Sequence, residues 1–257
     1  MVEYVNTDWG MELPVNEAYK KNLAECEIRI AKIYQSYLHE ITPFIILIET
    51  IDEEYPSEIL NELRAAFTHL ARYYEFIGAN VNIIEQESIE RLEAQIGLAE
   101  RHIKRCKLDC YKYACLSFAD LLKQFDIDYK SVDLSYVEEG NFIRELHQTR
   151  KAAHSKYLEA KKADTQNFVS VSSTEEYDVR ISDAKYDEYC RFICDDDLYQ
   201  MYEESYKLYD KCNNMIEAHI SQINFLKKKA SRKDIIAVGG LIVGVIGVLV
   251  GIIGIII

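Results

Sequence analysis

Apolar positions recur at helical spacing along nearly the whole chain. From about Val15, the residues Leu23, Ile28, Ile30, Ile33, Tyr34, Tyr37 and Leu38 follow one helix up to Thr42-Pro43, where the proline should kink it. Pro56 suits the first turn of a second helix, which Gly78 stops. A stripe running from Ile83 to Leu122 predicts a third helix from near Asn80 to about Phe125, roughly 65 Å long. A loop over Asp126–Leu134, a fourth helix over about 136–163 and a Ser/Thr/Val/Asp-rich loop or short hairpin over Asp164–Ile181 follow. The last helix starts near Ser182. Its near-heptad stripe (Tyr199, Tyr202, Tyr206, Tyr209, Ile216, Ile220, Ile223) is flanked by Leu198, Met201, Leu208 and Cys212, a face broad enough for a bundle or an oligomeric stalk. Residues 1–14 read as an irregular lead-in.

The pattern changes at Ile235. Residues 235–257 form 23 positions without a charge or a hydroxyl, which as a helix span roughly 34 Å against a bilayer core of about 30 Å. A single-pass transmembrane helix is expected there. The other apolar run, Ile41–Ile48, is too short to span and reads as helix core beside the proline. Lys227, Lys228, Lys229, Arg232 and Lys233 precede the span at the membrane surface and nothing follows it, so residues 1–234 are expected in the cytoplasm on a tail anchor. The expected organisation is a cytoplasmic helical bundle over 1–181, a stalk helix over 182–234 and the transmembrane helix over 235–257.

Within the span, Gly240, Gly244, Gly247, Gly251 and Gly254 recur in steps of 4, 3, 4 and 3. This 3.5-residue period keeps all five on one stripe of a left-handed supercoil. Glycine weakens a helix, whereas small residues let helix backbones approach closely in lipid. Self-association is therefore expected. No side chain in the span offers a polar lumen, which excludes a charged-ring channel; tight packing and a glycine-faced pore remain as alternatives.

Composition supports a fold class of all-α, an elongated bundle of long helices on a C-terminal single-pass transmembrane helix. Only 3 of the 257 residues are proline and 10 are glycine, six of these at or beyond 239, too few turn-makers for a β-rich or α/β enzyme. The formal charge is −13, and the segment 227–234 is net positive by four, so residues 1–226 carry −17. A body so acidic offers no general nucleic-acid surface, and an anionic ligand would need a local basic pocket. Seven cysteines at helical spacing without Cys-x2-Cys knuckles read as reduced core residues, with no metal and no cofactor expected.

One side-chain pattern is a candidate for binding chemistry. His69/Arg72, His102/Arg105 and His147/Arg150 each place histidine and arginine three apart on one helix face, on three different expected helices. Pointing inward together, with Arg64, Arg101 and Lys104 nearby, they would form a cationic pocket matched to phosphate. Arg105 can instead pair with Asp109, and Arg72 with Glu75. Arg64-x4-His69 also resembles the Arg-x4-6-His pattern of HEPN-family ribonucleases, although Ala65 stands where those enzymes usually place a polar residue. That resemblance implies action of the two residues on a scissile phosphate. The outline is similar to syntaxin-like tail-anchored proteins, with Asn213 in place of their central polar layer. In layout the chain resembles small membrane effectors of bacterial antiphage defence systems. This implies an oligomer held silent until a nucleotide-type ligand or a regulatory protein changes the cytoplasmic sensor, after which the membrane is permeabilised. The expected function is a non-enzymatic, self-associating membrane effector or ion channel, with a tail-anchored scaffold docking a partner protein as the alternative.

Overall fold

The computed structural model describes residues 4–6, 12–14, 17–79, 86–172 and 197–256, and side chains within 21–78, 89–165 and 197–230. Within the lead-in, where irregular structure was expected, two short strands pair. Tyr4–Asn6 (β1) pairs antiparallel with Glu12–Pro14 (β2), Val5 opposite Leu13. Among the described residues, everything else with regular structure is helical: α1 Glu17–Ser36, α2 Thr42–Asp52, α3 Ser57–Ala79, α4 Gln86–Asp128, α5 Asn141–Ser172 and α6 Asp197–Ile256.

The expected kink at Pro43 takes the form of a π-helical turn, Tyr37–Ile41, between α1 and α2. Proline lacks an N–H and its ring would collide with the carbonyl four residues back, so the helix widens by one residue there. Thr42 holds the wide turn, donating both its N–H and its hydroxyl (2.8 Å) to the Tyr37 carbonyl. Helix α2 ends where Glu53 turns left-handed (φ 57), with its N–H on the Glu49 carbonyl at 3.0 Å.

The chain forms two compact units, Met1–Ser117 with Ser155–Tyr206, and Phe118–His154 with Lys207–Ile257. In the first, α1 contributes Cys26, Ile30 and Ile33, α2 Ile45 and Ile48, α3 Ile59, Leu63, Ala66, Leu70, Tyr73 and Ile77, and α4 a matching row from Leu92 to Ala114. Burial of each such large apolar side chain is worth roughly 1.5–3 kcal/mol. A second cluster joins Leu108 and Tyr111 of α4, Ala160 of α5, and Leu198 and Tyr202 of α6. Here the tyrosines pack edge to face, Tyr111 with Tyr199 at 4.9 Å, and the Tyr199 hydroxyl donates to that of Tyr111 at 3.1 Å. Arg29 grips Glu100 with two parallel hydrogen bonds (2.8 and 2.7 Å), tying α1 to α4. Lys112 of α4 reaches Asp164 of α5 at 2.7 Å. That ion pair holds Asp164 within a helix, and α5 continues to Ser172 where a loop from Asp164 was expected. Residues 173–181 and the expected helix start near Ser182 lie outside the described residues.

The second unit buries Phe118, Leu122 and Phe125 of α4, Phe142 and Leu146 of α5, and Tyr209, Cys212 and Ile223 of α6. Before α5, where a helix from about 136 was expected, the chain makes two 3-10 turns, Leu134–Tyr136 and Glu138–Gly140. Glu138, Glu139 and Gly140 are consecutively left-handed (φ 47, 54 and 86). His219 of α6 holds this strained turn: Nε2 lies 3.0 Å from the Glu138 carboxylate and Nδ1 2.9 Å from the Met215 carbonyl. Both ring nitrogens face acceptors, so the Met215 carbonyl first and then Glu138 raise the His219 pKa. Its contribution to stability is complete below the unfolded value of 6.5 and fades as pH rises through the raised folded value. A Cβ at Gly140 would meet nothing nearer than Ser135 O at 4.0 Å, so only the positive φ opposes a side chain. Gly140→Ala should therefore cost about 1 kcal/mol, whereas Glu139→Gly should leave stability unchanged or higher. Thermal unfolding of the two variants checks the opposed signs.

The five described cysteines, Cys26, Cys106, Cys110, Cys115 and Cys212, are buried free thiols, and Cys190 and Cys194 lie outside the described residues. Burial pushes Cys115 up to about 12, and Cys26 and Cys212 up to about 11, which keeps them protonated. The backbone of α6 is helical without a break to Ile256. Among the described residues no helix is long and apolar enough to cross a membrane; the span 235–257, with Arg232 and Lys233, falls where side chains lie outside the described residues.

Candidate functional site

The histidines of two of the three His/Arg pairs meet. Helix α3 carries His69 and Arg72, α4 carries His102 and Arg105, and the two imidazoles stack with centroids 5.4 Å apart and planes 15° from parallel. The reason lies in a register the two helices share. Each buried position of α3 has a buried counterpart 33 residues on in α4: Ile59 and Leu92, Leu63 and Ile96, Ala66 and Ala99, Leu70 and Ile103, Tyr73 and Cys106, Ile77 and Cys110. Ala66 and Ala99, both fully enclosed, sit one turn before the histidines, and such small side chains let the helices approach closely.

The polar partners follow the same register and cross over. His102 Nδ1 lies 2.7 Å from the Glu62 carboxylate of α3, and His69 Nδ1 lies 2.9 Å from Gln95 Oε1 of α4. Glu62 and Gln95 are themselves 33 apart, as are Arg72 and Arg105. The contacts 62–102 and 69–95 run in opposite directions along the chain, so α3 and α4 are antiparallel and related by an approximate two-fold. Both partner atoms only accept, so each ring carries its proton on Nδ1 and Nε2 is the remaining nitrogen.

One residue breaks the symmetry. His102 faces a carboxylate and His69 a carboxamide. Burial first, opposed by the Gln95 hydrogen bond and reinforced by the charges of His102, Arg72 and Arg101, lowers the His69 pKa below 6.5. As pH falls below 6.5 the unfolded chain takes up a proton that folded His69 resists, so this residue subtracts stability on the acid side. Gln95→Glu should place His69 as His102 is placed and remove that loss. The expected result is a smaller drop in melting temperature between pH 7 and pH 5 than in the parent protein.

The remaining candidate residues sit apart from the stack. Arg105 Nε lies 3.5 Å from Asp109, the local pairing anticipated as its alternative. Arg72 is exposed and lines a cleft of about 430 Å³ with Glu75, Phe76, Arg91, Ala94 and Gln95. Arg64 is exposed; five residues turn it about 140° around α3 from His69. His147 and Arg150 belong to the second unit, where Arg150 pairs with Asp126 and exposed His147 lines a separate cleft of about 390 Å³. Lys229 and Lys228 are exposed, and the Lys227 ammonium lies 4.5 Å from the Tyr129 ring centroid. The glycine stripe belongs to the helical backbone of α6.

Sequence reasoning passed over Glu62, Gln95, Phe76 and Arg91. The visible signal was the 33-residue repeat of Glu/Gln-x6-His-apolar-x-Arg, of which only the His/Arg part was read. Compared with known proteins, the chain matches no family model, no curated protein and no solved structure.

Proposed function

We propose that this protein is a membrane effector that self-associates through residues 235–257, with its helical units as the controlling part on the cytoplasmic side. The observation that carries the reading is the five-glycine stripe at a 3.5-residue period inside a 23-residue uncharged segment. A plain anchor of leucine and isoleucine would partition into lipid without spending helix stability on glycine, whereas a packing face needs it. Five basic residues before the segment favour orientation with the units inside. Continuity adds a route for control. The helix that carries the segment, α6, also supplies Leu198 and Tyr202 to the first unit's core and Cys212 and Ile223 to the buried residues of the second. A change in the packing of either unit is therefore felt by a helix that runs without a break to Ile256.

Dye-loaded vesicles containing the reconstituted full chain test this. Release should rise more steeply than in proportion to the protein-to-lipid ratio, as expected when several copies must meet. Vesicles that stay sealed at every ratio, with the protein inserted, would leave the scaffold reading in its place.

A further inference from the structure

The cleft beside the crossed histidines sets two guanidinium groups against one carboxylate on an otherwise acidic chain. Its walls are Arg72, Glu75 and Phe76 from α3 and Arg91, Ala94 and Gln95 from α4, all within the first unit. His69 sets the direction of Gln95. Its Nδ1–H is given to Gln95 Oε1 at 2.9 Å, so the amide has only its NH2 donors left for any further partner. The two-fold-related position holds Glu62, whose carboxylate is committed to His102, with Asp109 beside Arg105. The Gln95 end brings two guanidinium groups and an amide donor together with an aromatic wall.

We propose that this cleft binds a nucleoside monophosphate-sized phosphate ester. The phosphate sits against Arg72, Arg91 and the Gln95 amide, and the planar base lies against Phe76. Guanidinium forks match phosphate oxygens bidentately, and an amide NH2 adds a third donor. The Phe76 ring and Ala94 methyl provide the apolar surface that a base needs and inorganic phosphate does not. Glu75, the carboxylate among the lining residues, suits sugar hydroxyls. A cleft of about 430 Å³ lies within the size range of small-ligand sites. Anion binding next to His69 also offsets the positive field of Arg72 and Arg101, so complex formation is coupled to proton uptake. The proposal deepens the effector reading by naming what its controlling part takes up, and rests on that reading only for the consequence in the membrane.

Calorimetric titration of the detergent-solubilised full chain with AMP, inorganic phosphate and adenosine tests it. AMP should saturate one site and bind at least about tenfold tighter than either fragment. The Arg72→Ala/Arg91→Ala pair and Gln95→Glu should each weaken AMP about tenfold or more; Arg150→Ala, in the other unit, should change nothing. Arg72 and Arg91 are exposed, so the double variant keeps the fold, which its circular dichroism melt verifies. The inference is overturned by the absence of saturation at about 10 mM AMP, by AMP binding no tighter than phosphate, or by undiminished binding in Gln95→Glu. Dye release from the same preparation separates the two claims: leaking vesicles without AMP binding sink the site alone, and AMP binding with sealed vesicles sinks the effector reading alone.

Discussion

Replacing Gly244 and Gly251 with leucine should abolish self-association in the bilayer and dye release, while leaving the helical units folded. The two positions are seven residues apart, so in a 3.5-residue repeat they fall at the same place on successive turns of the stripe. In lipid there is no hydrophobic gain from bringing two helices together, because acyl chains are as apolar as leucine. Close backbone approach, with dispersion and Cα–H contacts, is what remains. A leucine at each position holds the helices apart by the width of a side chain and removes those contacts over two full turns. Both variants raise the hydropathy of the segment, so insertion is unaffected. Ile242→Phe with Leu249→Phe, on the opposite side of the same helix, adds comparable bulk and should change neither association nor release. Equal loss from both pairs would mean that the segment tolerates no change at all, and the stripe would have no special role.

The second large effect lies in the first unit. Tyr202→Ala should cost about 3–5 kcal/mol, the range for emptying a buried aromatic position. Tyr202 is 1% exposed and belongs to the cluster with Leu108, Tyr111, Ala160 and Leu198. Its ring packs on Tyr157 at 5.7 Å, the Lys112 ammonium lies 5.4 Å from it, and its carbonyl accepts from the Cys115 thiol at 3.9 Å. Set against a typical stability of about 5–15 kcal/mol, that loss removes a large share of the total. Tyr209→Ala, equally buried but in the second unit, should destabilise without altering AMP binding in the first. Urea unfolding followed by tyrosine fluorescence and by ligand binding distinguishes the two.

Much of this architecture was legible in the chain because helix periodicity is a local signal. Leu92, Ile96 and Ile103 were placed on one stripe from spacing alone, and Pro43 and Pro56 marked real changes in α1–α3, whereas Gly78, expected to stop the second helix, lies within α3. Failures of the reading came where a partner far along the chain decides. Asp164 looks like a loop residue by composition, and Lys112, 52 positions earlier, holds it in α5. The left-handed turn at Glu138–Gly140 needs His219 to hold it, and no local rule calls for consecutive positive φ at two glutamates. The site shows the same division. His69/Arg72 and His102/Arg105 were visible as i,i+3 pairs, but Glu62 and Gln95 serve the histidine of the opposite helix and so carry no intrahelical signature. His147/Arg150 has the same spacing without the register, and lies in the other unit with Asp126.

Several copies are expected to meet in the membrane along the glycine face of α6. Energy transfer between donor- and acceptor-labelled full-length protein in vesicles measures this directly, read as lipid is added at constant protein. Transfer should persist under dilution down to an apparent dissociation constant and vanish in Gly244→Leu/Gly251→Leu. Transfer no greater than random proximity at every protein-to-lipid ratio would contradict it.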